Sequence, residues 1–307
     1  MKSLVFVFLK GLAMGAANVI PGVSGGTVAL ITGIYERLIN AIKSCDFTAA
    51  RLILRGQFQQ AWHHVDGTWL FSLMAGVLAS IFSLARLFEY LLAYHERYTM
   101  AFFFGLILLS IVYVARGVTR WDATCYIALV CGLAVAIAVA TLAPASENDS
   151  GFYVFLCGVL AISSMILPGL SGSFVLILMG NYALVLGAIS TLDLAIVMPF
   201  LLGCGIGLIA FSNVLAWVFK RYANATLALM TGFVVGSLVI IWPWKEAITR
   251  SVERPGKPAR EVVVSYDWFL PTPQQSSTWL ALLLMIAGAI SIVLMEKYAG
   301  AEQSDER

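Results

Sequence analysis

The chain has little charge and no excess of either sign: 12% of its 307 residues are Asp, Glu, Lys or Arg, and the formal net charge is +2. So weak a field gives no electrostatic case for nucleic acid as a partner, and it leaves the positions of the basic residues as the informative quantity. Metal-ligand spacing is missing too. His63, His64 and His95 stand in no ligand pattern with cysteine or carboxylate, so neither a metal nor any other cofactor is expected. The five cysteines, Cys45, Cys125, Cys131, Cys157 and Cys204, are odd in number and scattered mostly through apolar runs, which suits small packing residues better than a disulfide framework. A cleavable leader lacks its signature: Lys10 interrupts the apolar stretch after Lys2 and no small-residue cleavage site follows, so the segment is expected to stay attached.

What is present is apolar. Hydrophobic residues make up 60% of the chain, and mean hydropathy is +0.89. Runs such as 125–142 and 280–295 reach or approach the roughly 20 residues that an α-helix needs to cross the hydrocarbon core. The reading is an all-α integral membrane protein with apolar segments at 4–34, 69–93, 99–116, 121–143, 151–190, 194–219, 225–244 and 279–295.

Two of these segments are interrupted, the first by Pro21-Gly22-Val23-Ser24-Gly25-Gly26 and the second by Pro168-Gly169-Leu170-Ser171-Gly172-Ser173. Proline lacks an amide donor and glycine resists helix, so both helices are expected to unwind there, which a membrane tolerates only where protein or water satisfies the freed backbone. The interruptions also align. Gly11 matches Gly158, Ser24-Gly25 matches Ser171-Gly172, and Tyr35 matches Tyr182, all at an offset of 147 residues. Further on, Gly76 matches Gly203, Thr99 matches Thr226 and Gly105 matches Gly232 at an offset of 127. The offset shrinks because the first copy carries a longer polar connection, about 42–68. A tandem duplication follows. Residues 1–143 form the first repeat: a broken hairpin 4–34, an amphipathic surface helix 43–66, and spans 69–93, 99–116 and 121–143. Residues 151–295 form the second: a hairpin 151–190 and spans 194–219, 225–244 and 279–295. The surface helix is read from Phe47, Ala50, Leu54, Phe58, Trp62 and Val65, which recur every three or four residues.

Basic residues set the orientation. Arg37, Lys43, Arg51 and Arg55 place the first connection in the cytoplasm, and Glu147 with Asp149 place the 144–150 loop outside. If each broken segment returns to its own side, three spans separate the two hairpins, and the repeats are inverted. If each broken segment crosses fully, the repeats are parallel. The 245–278 loop has no matching stretch and its role stays open.

In the inverted arrangement each second arm begins after a Gly-Ser-Gly turn with its free amides and positive dipole end directed into the membrane, which is an anion site by geometry. The expected phosphate-binding residues are Asn18, Gly22, Ser24, Gly25, Gly26 and Thr27 from the first turn, and Gly169, Ser171, Gly172 and Ser173 from the second. Ser163 and Ser164 lie on the arm leading in. Glu36, Arg37 and Arg86 are candidates for the pathway or for coupling. Glu36 and Arg37 also suit an interfacial anchor, and Arg86 also suits a local pair with Glu89 three residues on.

The run from Ala13 to Thr27 through Asn18-Val19-Ile20-Pro21-Gly22-Val23-Ser24-Gly25-Gly26, followed by Gly33-Ile34-Tyr35-Glu36-Arg37, resembles the bacterial polyprenyl-phosphate transporter (PopT) family. Leu167-Pro168-Gly169-Leu170-Ser171-Gly172-Ser173 resembles its second motif, and Phe102-Phe103-Phe104-Gly105 also fits. The resemblance implies a multi-pass protein of the bacterial cytoplasmic membrane that moves undecaprenyl phosphate inward for reuse in envelope polymer synthesis. The partners implied are that lipid or a related polyprenyl phosphate and the surrounding membrane lipids. Two rivals remain. A transporter of a small soluble organic anion could use the same hairpins. Undecaprenyl pyrophosphate phosphatases resemble this chain in their repeats and Pro-Gly-x-Ser turn, but here Ser24 and Ser171 are followed by glycine where those enzymes continue with arginine. Paired membrane glutamates are missing as well, so a non-enzyme is expected.

Overall fold

Helix dominates because apolar stretches in a bilayer must satisfy every amide internally. The computed structural model describes residues 2–19, 24–142, 144–254, 257–272 and 276–305. Helices α1 (Lys2–Val19) and α2 (Gly25–Ile31) build the first broken segment, α3 (Tyr35–Lys43) follows it, and α4 (Phe47–Leu54) and α5 (Phe58–His64) form the connection. Then come α6 (Gly67–Arg116), α7 (Ala123–Thr141), α8 (Gly151–Ile166), α9 (Gly172–Leu178), α10 (Tyr182–Thr191), α11 (Leu194–Arg221), α12 (Ala223–Ser237), strands β1 (Lys245–Arg254) and β2 (Lys257–Trp268), and α13 (Ser276–Asp305). Among the described residues five stretches are long and apolar enough to cross a membrane. They are Gly67–Leu84, Tyr90–Arg116, Ala123–Thr141, Leu194–Arg221 and Ser276–Leu294; a sixth would pair α9 with α10, which meet at 110°. The chain is a multi-pass helical membrane protein.

Helix α6 doubles back on itself. His95 leaves helical geometry at φ −137°, ψ 34°. The rings of Phe88 and Phe103 then lie 6.0 Å apart, where an unbroken helix at 1.5 Å per residue would separate them by about 22 Å. Tyr222, 127 residues on, makes the same kind of corner between α11 and α12 at φ −138°, ψ 51°.

Helix pairs meet through glycines at matching offsets. A Cβ on Gly11 would strike the Leu73 carbonyl and one on Gly158 the Phe200 carbonyl, so α1 lies directly on the first limb of α6 as α8 lies on α11. Gly105 rests on Met285 of α13, and Gly232 on Leu129 of α7. The third long helix of each half therefore packs against the other half. Such backbone contact is how membrane helices gain dispersion energy without a hydrophobic drive.

The joins also sort the ends of the bundle. Tyr35 of α3 packs 5.8 Å from Phe219 near the end of α11, and the Thr119 amide donates to Asn224 at 3.1 Å. These contacts gather the connections bearing Arg116, Arg120, Lys220 and Arg221. Elsewhere, Asn181, fully buried, clasps the 144–150 loop by accepting from the Asn148 amide at 2.9 Å and donating to its carbonyl at 2.7 Å.

Four expectations are corrected. The connection over 43–66 is two helices and not one, because Asp46 caps α4 by accepting from the Thr48 and Ala49 amides and Gly56 at φ +72° ends the run before α5. The second broken segment, 151–190, has three helices and not two arms, since Gly180 (φ +75°) turns the chain after the seven residues of α9; Gly33 (φ +70°) makes the matching turn at the end of the first segment, before α3. The segment expected to span 225–244 stops as α-helix at Ser237 and tightens into i→i−3 turns through Ile240. The chain is not wholly α: β1 and β2 form an antiparallel hairpin within 245–278. The hairpin's base is fixed to the bundle, with Trp268 donating to the Val239 carbonyl at 3.2 Å and the Phe269 amide to the Trp244 carbonyl at 3.0 Å.

Candidate functional site

The two glycine-serine turns meet. Helix α8 ends before Pro168, leaving its last carbonyls without helical donors. Residues of the first turn supply them: the Ser24 hydroxyl donates to the Leu167 carbonyl at 3.2 Å and lies 3.5 Å from that of Met165, and the Tyr35 hydroxyl donates to Ile166 at 3.1 Å. In return, the Gly169 amide donates to the Thr27 hydroxyl at 2.9 Å. Ser24, Thr27 and Tyr35 are all buried, so among the described residues the side chains of this seam are shielded from solvent and hydrogen-bonded. Gly26 is required for the approach, because a Cβ there would sit 2.6 Å from the Ile166 carbonyl.

This pairing changes the roles of several predicted ligands. The first-turn amides of α2 are not free: Asn18 accepts from Gly25 at 2.8 Å, the Ser24 hydroxyl from Gly26 at 3.1 Å, and the Ser24 carbonyl from Thr27 at 3.0 Å. Asn18 is thus a cap reaching over from α1. Gly22, with Pro21, lies outside the described residues. Ser163 and Ser164 bond back to the Val159 and Leu160 carbonyls of their own helix. In the second turn Ser171 and Ser173 differ, since their hydroxyls meet each other at 2.9 Å at an exposed position and no side chain caps α9. Gly172 lets α9 fold back on α8 against Ala161, and Gly169 holds φ +80° with its α-carbon against the Phe233 backbone.

Beside the first turn opens a cleft of about 460 Å³ lined by Glu36, Arg37, Asn40, Ser44 and Asp66 among others. Arg37 is held there on two sides. Its Nε donates to Asp66 at 2.7 Å, and its guanidinium lies 4.8 Å from the Trp69 ring centre. The terminal nitrogens retain their capacity for a planar, bidentate grip on an anion. Arg86 is exposed on the first limb of α6 and lines neither cleft nor seam, and the side chain of Glu89 is outside the description. Sequence reasoning passed over Asp66, Trp69 and Asn40 and gave Tyr35 no role. A usable signal existed: Asp66 matches Asp193 at the 127 offset, yet Asp193 caps α11 through the Ala195 amide while Asp66, at φ 52°, caps nothing and turns to Arg37.

A multi-pass helical membrane protein with two glycine-broken segments joined at a buried seam is the class defined by these features. The profile of the VCA0040-like, undecaprenyl phosphate translocase-like family matches residues 14–258, and the chain belongs to that family. It is 40% identical over 295 residues to the polyprenyl-phosphate transporter of Vibrio cholerae serotype O1 (strain ATCC 39315 / El Tor Inaba N16961), covering 95% of this chain and 96% of that one. To the polyprenyl-phosphate transporter of Staphylococcus aureus (strain NCTC 8325 / PS 47) it is 35% identical over 255 residues, 76% of this chain and 85% of the relative. No solved structure matches it.

Proposed function

We propose that this chain carries a polyprenyl phosphate, of the undecaprenyl type, across the bacterial cytoplasmic membrane as a secondary-type transporter, returning the lipid carrier for reuse. The observation that carries this reading is the seam, where turns 147 residues apart in sequence come together beside a cleft holding an arginine. Inverted-repeat transporters hold substrate where two broken segments approach each other. Inverted repeats, each a re-entrant hairpin and three spans, are part of the proposal, and the matched corners at His95 and Tyr222 and the matched glycine contacts support it. The names of the two relatives supply the substrate class.

In this reading the headgroup is met by the Ser171 and Ser173 hydroxyls on one side and by Arg37 in the cleft on the other. The buried Ser24 and Thr27 act as the clasp that must reopen for passage. Glu36 lines the same cleft beside Arg37 and is the candidate for coupling. Hydrolysis is not expected, because among the described residues neither Ser24 nor the Ser171–Ser173 pair is bonded to an arginine, a histidine or a carboxylate that would activate a nucleophile or protonate a leaving group.

Proteoliposomes holding the purified protein and a fluorescent undecaprenyl phosphate test this directly. Protein-dependent transfer between leaflets, without phosphate release and without competition by dicarboxylates, is the expected result. Transfer no faster than in protein-free vesicles overturns the proposal; release of inorganic phosphate from a pyrophosphate lipid would favour the enzyme instead.

A further inference from the structure

Behind the first turn lies a second cavity, of about 210 Å³, with a lining that is apolar throughout. Ala13, Ala16 and Ala17 form its floor on one face of α1, while Phe88 and Phe103 close it from the two limbs of α6 and Ile292 from α13. The spacing of those alanines by three and four residues puts them on one helical face. Gly11 and Gly15, on the other face, take up the packing against α6. The cavity neighbours the seam along the chain, since the lining residue Ala17 precedes the cap Asn18 and the lining residue Val28 follows Thr27.

The second half does not repeat this space. At the 147 offset Ala13, Ala16 and Ala17 become Leu160, Ser163 and Ser164. Leu160 is large and exposed, and the two serines bond back to their own helix. An apolar cavity of about 150 Å³ stays dry and takes a small hydrocarbon such as benzene, so this one has room for a branched hydrocarbon somewhat larger than that. We infer that it receives the phosphate-proximal isoprene units of the lipid, so that the first half reads the chain while the cleft and the second turn read the phosphate. This rests on the proposed substrate being a polyprenyl phosphate. Alanine methyls opposite aromatic faces suit a chain that carries a methyl branch on every unit, and they offer nothing to a free phosphate.

The test uses the full-length protein in nanodiscs with three probes: a fifteen-carbon prenyl phosphate, a straight saturated alkyl phosphate of equal carbon number, and inorganic phosphate. Wild type is expected to bind the prenyl phosphate more tightly than the alkyl one. Ala13→Leu, which copies the second half, should weaken prenyl phosphate binding about tenfold and leave inorganic phosphate binding within about twofold. A prenyl phosphate with a diazirine on its first isoprene unit should label α1 or α6 of wild type between residues 13 and 17 or 88 and 106. That labelling decides the matter even if the variant does not fold. Prenyl phosphate binding that ignores Ala13→Leu, or labelling that misses α1, α6 and the other cavity-lining residues Val28, Ile31 and Ile292, overturns the inference while leaving the substrate intact. Absence of prenyl phosphate binding by wild type removes the substrate reading itself, and with it the inference.

Discussion

Ser24 and Ser171 hold matching places in two turns built from almost the same residues, and the protein uses them differently. Ser24 is 2% exposed and gives its hydroxyl to carbonyls at the end of α8, while among the described residues the Ser171 hydroxyl meets that of Ser173 at an exposed position. Thr27, in the first turn, accepts from the Gly169 amide. Its counterpart at the 147 offset is Phe174, which has no hydroxyl to return the favour. The same small-residue motif is therefore a clasp in one half and an accessible pair of hydroxyls in the other. What decides is the partner: a turn that meets orphan helix carbonyls is consumed by them, and a turn that does not stays available to a ligand.

The contrast breaks most visibly at Gly169. Alanine there must adopt φ +80° and place its Cβ 2.6 Å from the Phe233 carbonyl carbon and oxygen. The backbone strain alone costs about 1 to 2 kcal/mol, and the clash adds to it. Gly169→Ala is expected to give the largest loss, about 3 kcal/mol or more, seen as a steep fall in melting temperature of the detergent-purified protein. Melting within a degree or two of wild type would show that the seam is not tight.

Next in size is the comparison of the two hydroxyl sets. Thr27→Val keeps the shape but leaves the Gly169 amide buried without an acceptor, so stability should fall by about 1 to 3 kcal/mol. Ser171→Ala, at a half-buried position whose hydroxyl meets the exposed Ser173, should change stability by no more than about 0.5 kcal/mol and weaken lipid phosphate binding instead. Equal losses of stability in both variants would erase the difference between clasp and open turn.

A smaller effect separates the matched aspartates. Asp193→Ala removes a helix cap, at a cost of about 1 kcal/mol, and should leave transport unchanged. Asp66→Ala removes an ion pair between exposed groups, worth about 0 to 1 kcal/mol, yet frees Arg37 from its anchored pose over Trp69. Transport assays should rank the two opposite to stability. Arg37→Lys belongs in the same experiment, because lysine can neither stack flat on Trp69 nor offer two parallel donors; full transport by this variant would leave Arg37 as an interfacial anchor.

Much of this was legible in the sequence, for a definite reason. Hydropathy marks helices that must be apolar to exist in lipid, and Pro-Gly-x-Ser-Gly marks where they break, so the broken segments and the matched offsets were visible. What sequence could not show is which polar groups satisfy one another. Ser24 and Ser171 read alike because the difference lies in carbonyls from a helix more than 140 residues away. Asp66 was passed over because its contact with Arg37 spans the 43–66 connection, whose break at Gly56 was also missed. The β1–β2 hairpin escaped because nothing in the other half matches it.

The hairpin supplies the smallest effect, and one with a sign. Lys245 stands at the start of β1, donating to the Ile240 carbonyl with its ammonium 4.5 Å from the Tyr266 ring centre. Burial pushes its pKa down to about 8 from the ordinary 10.5, with the Glu96 carboxylate opposing that shift. Below about pH 8 the lysine is protonated both in the folded chain and in the unfolded one, so stability does not respond to it. Between about 8 and 10.5 the unfolded chain holds a proton that the folded chain has shed, and stability must rise with pH. Tyr266, whose pKa burial and Glu96 raise, works the other way, but only as the pH nears 10, where the phenol of the unfolded chain begins to ionise. Hydrogen exchange of the β1 and β2 amides, corrected for the intrinsic pH dependence of exchange, should therefore show protection climbing from pH 8 to 10 in the wild type. In Lys245→Met the climb should flatten, with protection already high at pH 7 because no ammonium has to be buried. An equal climb in both proteins would assign the pH response to another group and leave Lys245 as a packing residue at the hairpin's base.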